Sequence, residues 1–189
     1  ERVITPKDPE WAEMVAYAER VAPALALLHE ASDKPVMGFL YGQPINETYD
    51  AALAAYLGHE QGQTEQQSSS NPSLISVLLP HLSAMRRSAM FVCRVEAVEA
   101  ARRGDVTRFE RAVATPLGMA RQMCGSGTII EQLVGYSILG LACETLQSMV
   151  RDYPTLIDDA AAARISHRLA SVDTRVHFEF ERQMMHDLA

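Results

Sequence analysis

His177 and Glu181 stand four residues apart in the run His177-Phe178-Glu179-Phe180-Glu181, and on a helix that spacing brings an imidazole and a carboxylate to one face, as a metal pair requires. Further ligands are missing, because neither an H-E-x-x-H stretch nor the paired E-x-x-H of di-iron bundles occurs. A surface ion pair is the simpler reading, and no metal or cofactor is expected. His81 follows Pro80 near the start of a helical pattern and reads as a capping or packing histidine before a general base. Gly125-Ser126-Gly127 lacks the preceding strand of a nucleophile elbow and the lysine of a phosphate-binding loop, so it reads as a linker between helices. Cys93, Cys124 and Cys143 form neither a C-x-x-C pair nor a zinc spacing. Their odd number argues against a complete disulfide framework, and buried free thiols are expected. No residue is assigned a catalytic role.

Glu131, Gln132 and Glu144 differ from these, because they interrupt a very apolar helical pattern and must find partners or water wherever they are buried. Structural bonds to a neighbouring helix are the simpler use. A small-molecule site around Glu131, Gln132 and Tyr136 is the alternative.

The elements that would position these groups are helices throughout. Leu78, Leu82, Met85, Ala89, Val92, Val95, Val98 and Ala101 recur at three- and four-residue steps, which makes one apolar stripe. Arg86, Arg87, Arg94, Glu96, Glu99 and Arg102 mostly fall off it. Gly104 can take the left-handed conformation that ends a helix and Asp105 can cap the next, so the chain should stop and restart within two residues. Phe109, Ala112, Val113, Leu117, Ala120 and Met123 continue the stripe on a second arm, which Pro116 should kink or divide. The short joint makes the two arms antiparallel neighbours.

A second joint at 124–128 leads into Ile129 to Val150, opened by Thr128 and Glu131 in the capping-box spacing. This stretch is expected to be the central helix, buried on most sides, with Gly135 and Gly140 marking close contact with a neighbour. The charged and amide residues leave no apolar run of the roughly 18 residues that a membrane span needs. Upstream, Trp11 to Leu28 reads as one helix, opened near Asp8-Pro9 and bent at Pro23. Asp33-Lys34-Pro35 starts an irregular stretch, Tyr49 to Leu57 reads as a short helix, and 58–72 as an exposed, low-complexity loop. Leu156 to Ala170 and Val172 to Leu188 complete the pattern as two further helices. The fold class is therefore all-α, antiparallel helical hairpins forming a bundle or short repeat array, with residues 1–189 read as one domain.

Charge narrows the partners. With 24 acidic residues against 17 basic, the formal charge is −7, which disfavours nucleic acid because phosphate binding relies on concentrated positive charge. The paired arginines at 86–87 and 102–103 read as solvated helix faces. The chain opens on Glu1 and not on methionine, which reads as a processed or trimmed start with any targeting peptide already removed.

Leu79-Pro80-His81-Leu82, Gly104-Asp105, Leu117 to Arg121 and Thr128-Ile129-Ile130-Glu131-Gln132-Leu133-Val134 follow one another in an order that resembles a group of uncharacterised bacterial all-helical proteins. The resemblance covers about the central two fifths of the chain. It implies a domain outside the cytoplasm, periplasmic or envelope-associated and often preceded by an anchor or export signal; it implies no activity. The hairpin is also similar to tetratricopeptide repeats, without their fixed period. Two functions are expected from all this: a non-catalytic helical scaffold that binds a protein or peptide partner, or a small-molecule-binding or enzymatic bundle.

Overall fold

The computed structural model describes residues 5–35, 74–125 and 129–172, with side chains in the second stretch from residue 81 onward. The chain divides into two compact units, Glu1–Met37 with His81–Ala189, and Gly38–Pro80. Of the second unit, only the helical backbone 74–80 is described. The expected helix at 49–57, the loop at 58–72, the capping box at Thr128 and the helix after Val172 lie outside the described residues.

The fold is all-α, with six helices and no strand among the described residues. Helix α1 spans Trp11–Arg20 and α2 spans Ala22–Asp33. They form two helices where the sequence pattern suggests one. Val21 is the hinge, and Pro23 falls in the first turn of α2, where a missing N–H costs nothing. Helix α3 begins at Leu74–Phe91, widens into a π turn at Val92–Glu96 and returns to α geometry over Ala97–Arg103. Gly104 then takes φ 68°, and the Asp105 carboxylate accepts the Arg108 N–H at 2.9 Å. The turn is the one that the Gly-Asp pair encodes.

Helix α4, Val106–Cys124, is the centre of the first unit and packs against α2, α3, α5 and α6. Twelve of its 19 residues are buried, among them Phe109, Val113, Leu117, Met119 and Met123. Pro116 neither divides nor ends it. The proline is itself buried, and the preceding Thr115 hydroxyl bonds the Arg111 carbonyl at 3.0 Å. Helix α5, Ile129–Asp152, was expected to be central and is not: seven of its 24 residues are buried, while Leu133 is 61% and Val150 is 53% exposed. It lays one face along α4. Gly135 marks the close approach, since a Cβ there would meet the Cys124 sulfur at 2.9 Å, whereas Gly140 faces open space. By length and composition α5 could cross a membrane, with mean hydropathy 1.3, and a third of that window is buried in the fold. Helix α6, Asp159–Ala170, is capped by Asp158, whose carboxylate accepts the Ala161 N–H at 2.7 Å.

The crossing of α2 over α4 is held by a contact that apolar periodicity does not reveal. At Gly118 a Cβ would overlap the Ser32 carbonyl, so the backbone of α2 rests directly on α4. Just beyond, the Gln122 amide donates to the Ala31 and Lys34 carbonyls at 2.9 and 2.7 Å, and Arg121 donates to Lys34 at 2.7 Å. These side chains add donors to carbonyls at the C-terminal end of α2 and just past it.

Candidate functional site

Two acids of α3 turn inward, one in the π turn and one just beyond it. Glu96 lies in the π turn and Glu99 in the α turn that follows, and both are buried although they fall off the apolar stripe. Their burial corrects the reading of these acids as residues off the packed face.

Glu96, 5% exposed, meets His29 of α2. The His29 Nε2 lies 3.3 Å from each carboxylate oxygen, but only Oε1 is aligned for a hydrogen bond, and Oε2 is buried without one. Arg108 of α4 adds a guanidinium, its Nε 3.5 Å from Oε1. On the other side of the ring, Nδ1 lies 2.6 Å from the Thr115 hydroxyl. With Nε2 protonated toward Glu96, the neutral ring accepts from Thr115; a doubly protonated ring donates to Thr115, which then donates onward to the Arg111 carbonyl. Either way an acid, an imidazole and a hydroxyl from three helices form one continuous chain.

His29 and Thr115 also floor a cleft of about 480 Å³ between α2, α4 and α6. It is open to solvent on one side, and three arginines line it. Arg164 pairs with Glu110 across to α4, with Nε 2.8 Å from one carboxylate oxygen and Nη2 bonded to the other. Its hydrogen bonds are the main cause holding the Glu110 carboxyl below the usual range; partial burial opposes them. Arg168 pairs with Asp33 of α2 at 2.8 Å. The third, Arg111, is exposed and has no carboxylate partner among the described residues.

The second inward acid, Glu99, accepts the Trp11 indole N–H at 3.1 Å and hydrogen bonds from Arg102 at 3.2 Å and Arg103 at 2.8 Å. Burial is the largest single influence on its carboxyl and pushes its pKa upward. The donated bonds and the neighbouring guanidiniums together outweigh it and hold the group below the usual range. This cluster fastens α1 to α3 and does not line the cleft.

The sequence-derived candidates lie elsewhere. Glu131 and Gln132 are buried in the first turns of α5 and Tyr136 is half-buried one turn on; each is engaged with another residue, and none lines the cleft. His81 is half-buried on α3 and likewise engaged. Ser126, His177 and Glu181 lie outside the described residues. No group of three His, Cys, Asp or Glu side chains among the described residues could hold a metal ion. All three cysteines are free thiols, Cys93 and Cys124 buried and Cys143 half-buried. Burial pushes Cys93 up to about 12, although a hydrogen bond with Thr145 and the nearby Arg94 charge pull it down.

Sequence reasoning missed His29, Thr115, Arg111 and the α6 arginines. Thr115 lies 86 residues from His29, and Glu96 lies 67 from it, so no local spacing connects them. One signal was available, in that a lone histidine on the short apolar pattern Leu25 to Leu28 needs a polar partner once that face is buried. Comparison of the chain with protein-family models, with curated proteins and with solved structures finds no match.

Proposed function

We propose that the protein is a non-catalytic helical scaffold that receives a protein or peptide partner in the cleft between α2, α4 and α6. The observation that carries this reading is how the polar groups of the cleft are used. Those on its floor are bonded to one another, and those on two of its walls are bonded across it, so they brace three helices around an open concavity. A rigid, open groove suits a segment of another chain better than it suits a small molecule, which binds best where most of its surface is enclosed. The extracytoplasmic location, the bacterial source and the tetratricopeptide-like arrangement implied by the resemblance belong to the same proposal.

One observation favours a second reading, an enzymatic or small-molecule-binding bundle. The Glu96, His29 and Thr115 chain has the connectivity of an acid, a base and a nucleophile. Against it, the Thr115 residue is 1% exposed, and a nucleophile must reach its substrate.

A photo-crosslinking amino acid placed at Thr107, on the cleft, and separately at Glu144, on the outer face of α5, tests the proposal in the cells that make the protein. Protein adducts from position 107 and none from 144 are expected. Adducts from 144 alone, or from neither site, would overturn it.

A further inference from the structure

The cleft has a charge character that is not evident from its composition. Glu30, Asp33 and Glu110 line it along with Arg111, Arg164 and Arg168, three acids against three arginines. Each acid is already compensated: Glu110 by Arg164, Asp33 by Arg168, and Glu30 by Lys34 at 3.0 Å, just past the end of the same helix. Arg111 is left over. Its guanidinium, on an exposed position of α4, is the uncompensated charge of the lining among the described residues.

An uncompensated arginine beside a concavity is a specific recognition element, because its planar fork of donors matches a carboxylate with two parallel hydrogen bonds. The rest of the lining fits a side chain of that kind. Ala26, Ala114 and Ile165 offer apolar surface for the methylenes of a glutamate, and the two ion pairs fix the walls around it. A basic segment would find no free carboxylate here. We propose that the cleft takes an acidic peptide segment, with a glutamate or aspartate carboxylate of the partner paired to Arg111. This deepens the interaction reading above and rests on it. Because the protein carries a net charge of −7, an acidic partner is not drawn in from a distance. The recognition is short-ranged and depends on this one residue.

The experiment is a fluorescence-anisotropy titration of the full chain with two fluorescein-labelled decapeptides, one alternating glutamate and serine, the other alternating glutamine and serine. Arg111→Gln and Arg111→Lys are compared with Arg151→Gln, a control on exposed α5. Since Arg111 is exposed and unpaired, the variants fold, and matching thermal melts verify this. Saturable binding of the glutamate peptide is expected, weakened at least about tenfold in Arg111→Gln, partly restored in Arg111→Lys and unchanged in Arg151→Gln. The glutamine peptide should bind at least about tenfold more weakly to the wild type. Equal binding of both peptides would leave the cleft a docking surface and overturn only the carboxylate. Arg111→Gln binding like wild type would also overturn the inference. If neither peptide binds while glutarate titrates in an Arg111-dependent way, the ligand is a small dicarboxylate, and both this inference and the scaffold reading fall.

Discussion

Replacing His29 by leucine removes the middle of the chain that joins α2 to α3 and α4. Glu96 then keeps only Arg108, 3.5 Å away and a third exposed, for a carboxylate that is 5% exposed and already has one unbonded oxygen. Leaving a buried carboxylate short of a partner costs about 3–5 kcal/mol. Arg108 remains, and the His29 side chain is 11% exposed, so some water can enter and the lower end applies, about 3 kcal/mol. Glu96→Leu is milder, about 2 kcal/mol, because it strands an imidazole and a guanidinium that can reach solvent. The double variant leaves no buried charge to strand. It should cost about 3 kcal/mol in place of the additive 5, a coupling of about 2 kcal/mol. Urea unfolding of the four proteins, extrapolated to water with a common slope, measures this directly. Additivity within about 0.5 kcal/mol would mean that His29 and Glu96 do not act as a pair, and the pairing at the floor of the cleft would be refuted.

Three further outcomes are expected. Gly118→Ala should destabilise by about 3 kcal/mol, because its methyl meets the Ser32 carbonyl of the backbone, whereas Gly140→Ala, facing open space, should stabilise by about 0.5–1 kcal/mol; thermal melts of the two compare them. Glu99 and Glu110 both ionise more readily in the fold than in the unfolded chain, so the stability they add is fully present above about pH 4.3 and is lost as pH falls through their lowered folded values. Glu99→Gln should therefore flatten the acid limb of the melting temperature against pH, and an unchanged limb would remove Glu99 from it. With Cys93 buried and pushed up to about 12, iodoacetamide at pH 8 should leave it unlabelled in the folded protein. All three thiols should label in urea without a reductant, as read by peptide mass.

What was legible in the sequence is what short-range chemistry decides. Only glycine takes the left-handed position at 104 at no steric cost, and an aspartate next to it can cap, so the turn between α3 and α4 could be placed to the residue. The rank of the helices could not. Apolar content makes Ile129 to Val150 look like the core, but burial depends on how many neighbours surround a helix, and α4 has four. Its Thr115 and Gln122 fall outside the apolar stripe and are nonetheless buried, with hydrogen-bond partners supplied by α2. The cleft was unreadable for the same reason, since its groups come from three helices distant in sequence. Pro116 misled in the other direction, as a single missing N–H is tolerated inside a well-packed helix.

The π turn of α3 means that this helix is tuned by its length as well as by its side chains. Each residue of an α-helix turns the chain by roughly 100°, and a π turn is how a helix absorbs one residue more than its pattern calls for. Upstream of the turn, Leu82 and Ala89 face the core; downstream, Glu99 and Ala100 do. Through the turn and beyond it burial extends round most of the helix, over Val92, Cys93, Val95, Glu96, Ala97, Glu99, Ala100 and Ala101. A deletion of one residue within Val92–Glu96 can therefore be absorbed by closing the π turn into regular α geometry, with both halves of the helix kept in place, a change that no substitution at those positions could reproduce.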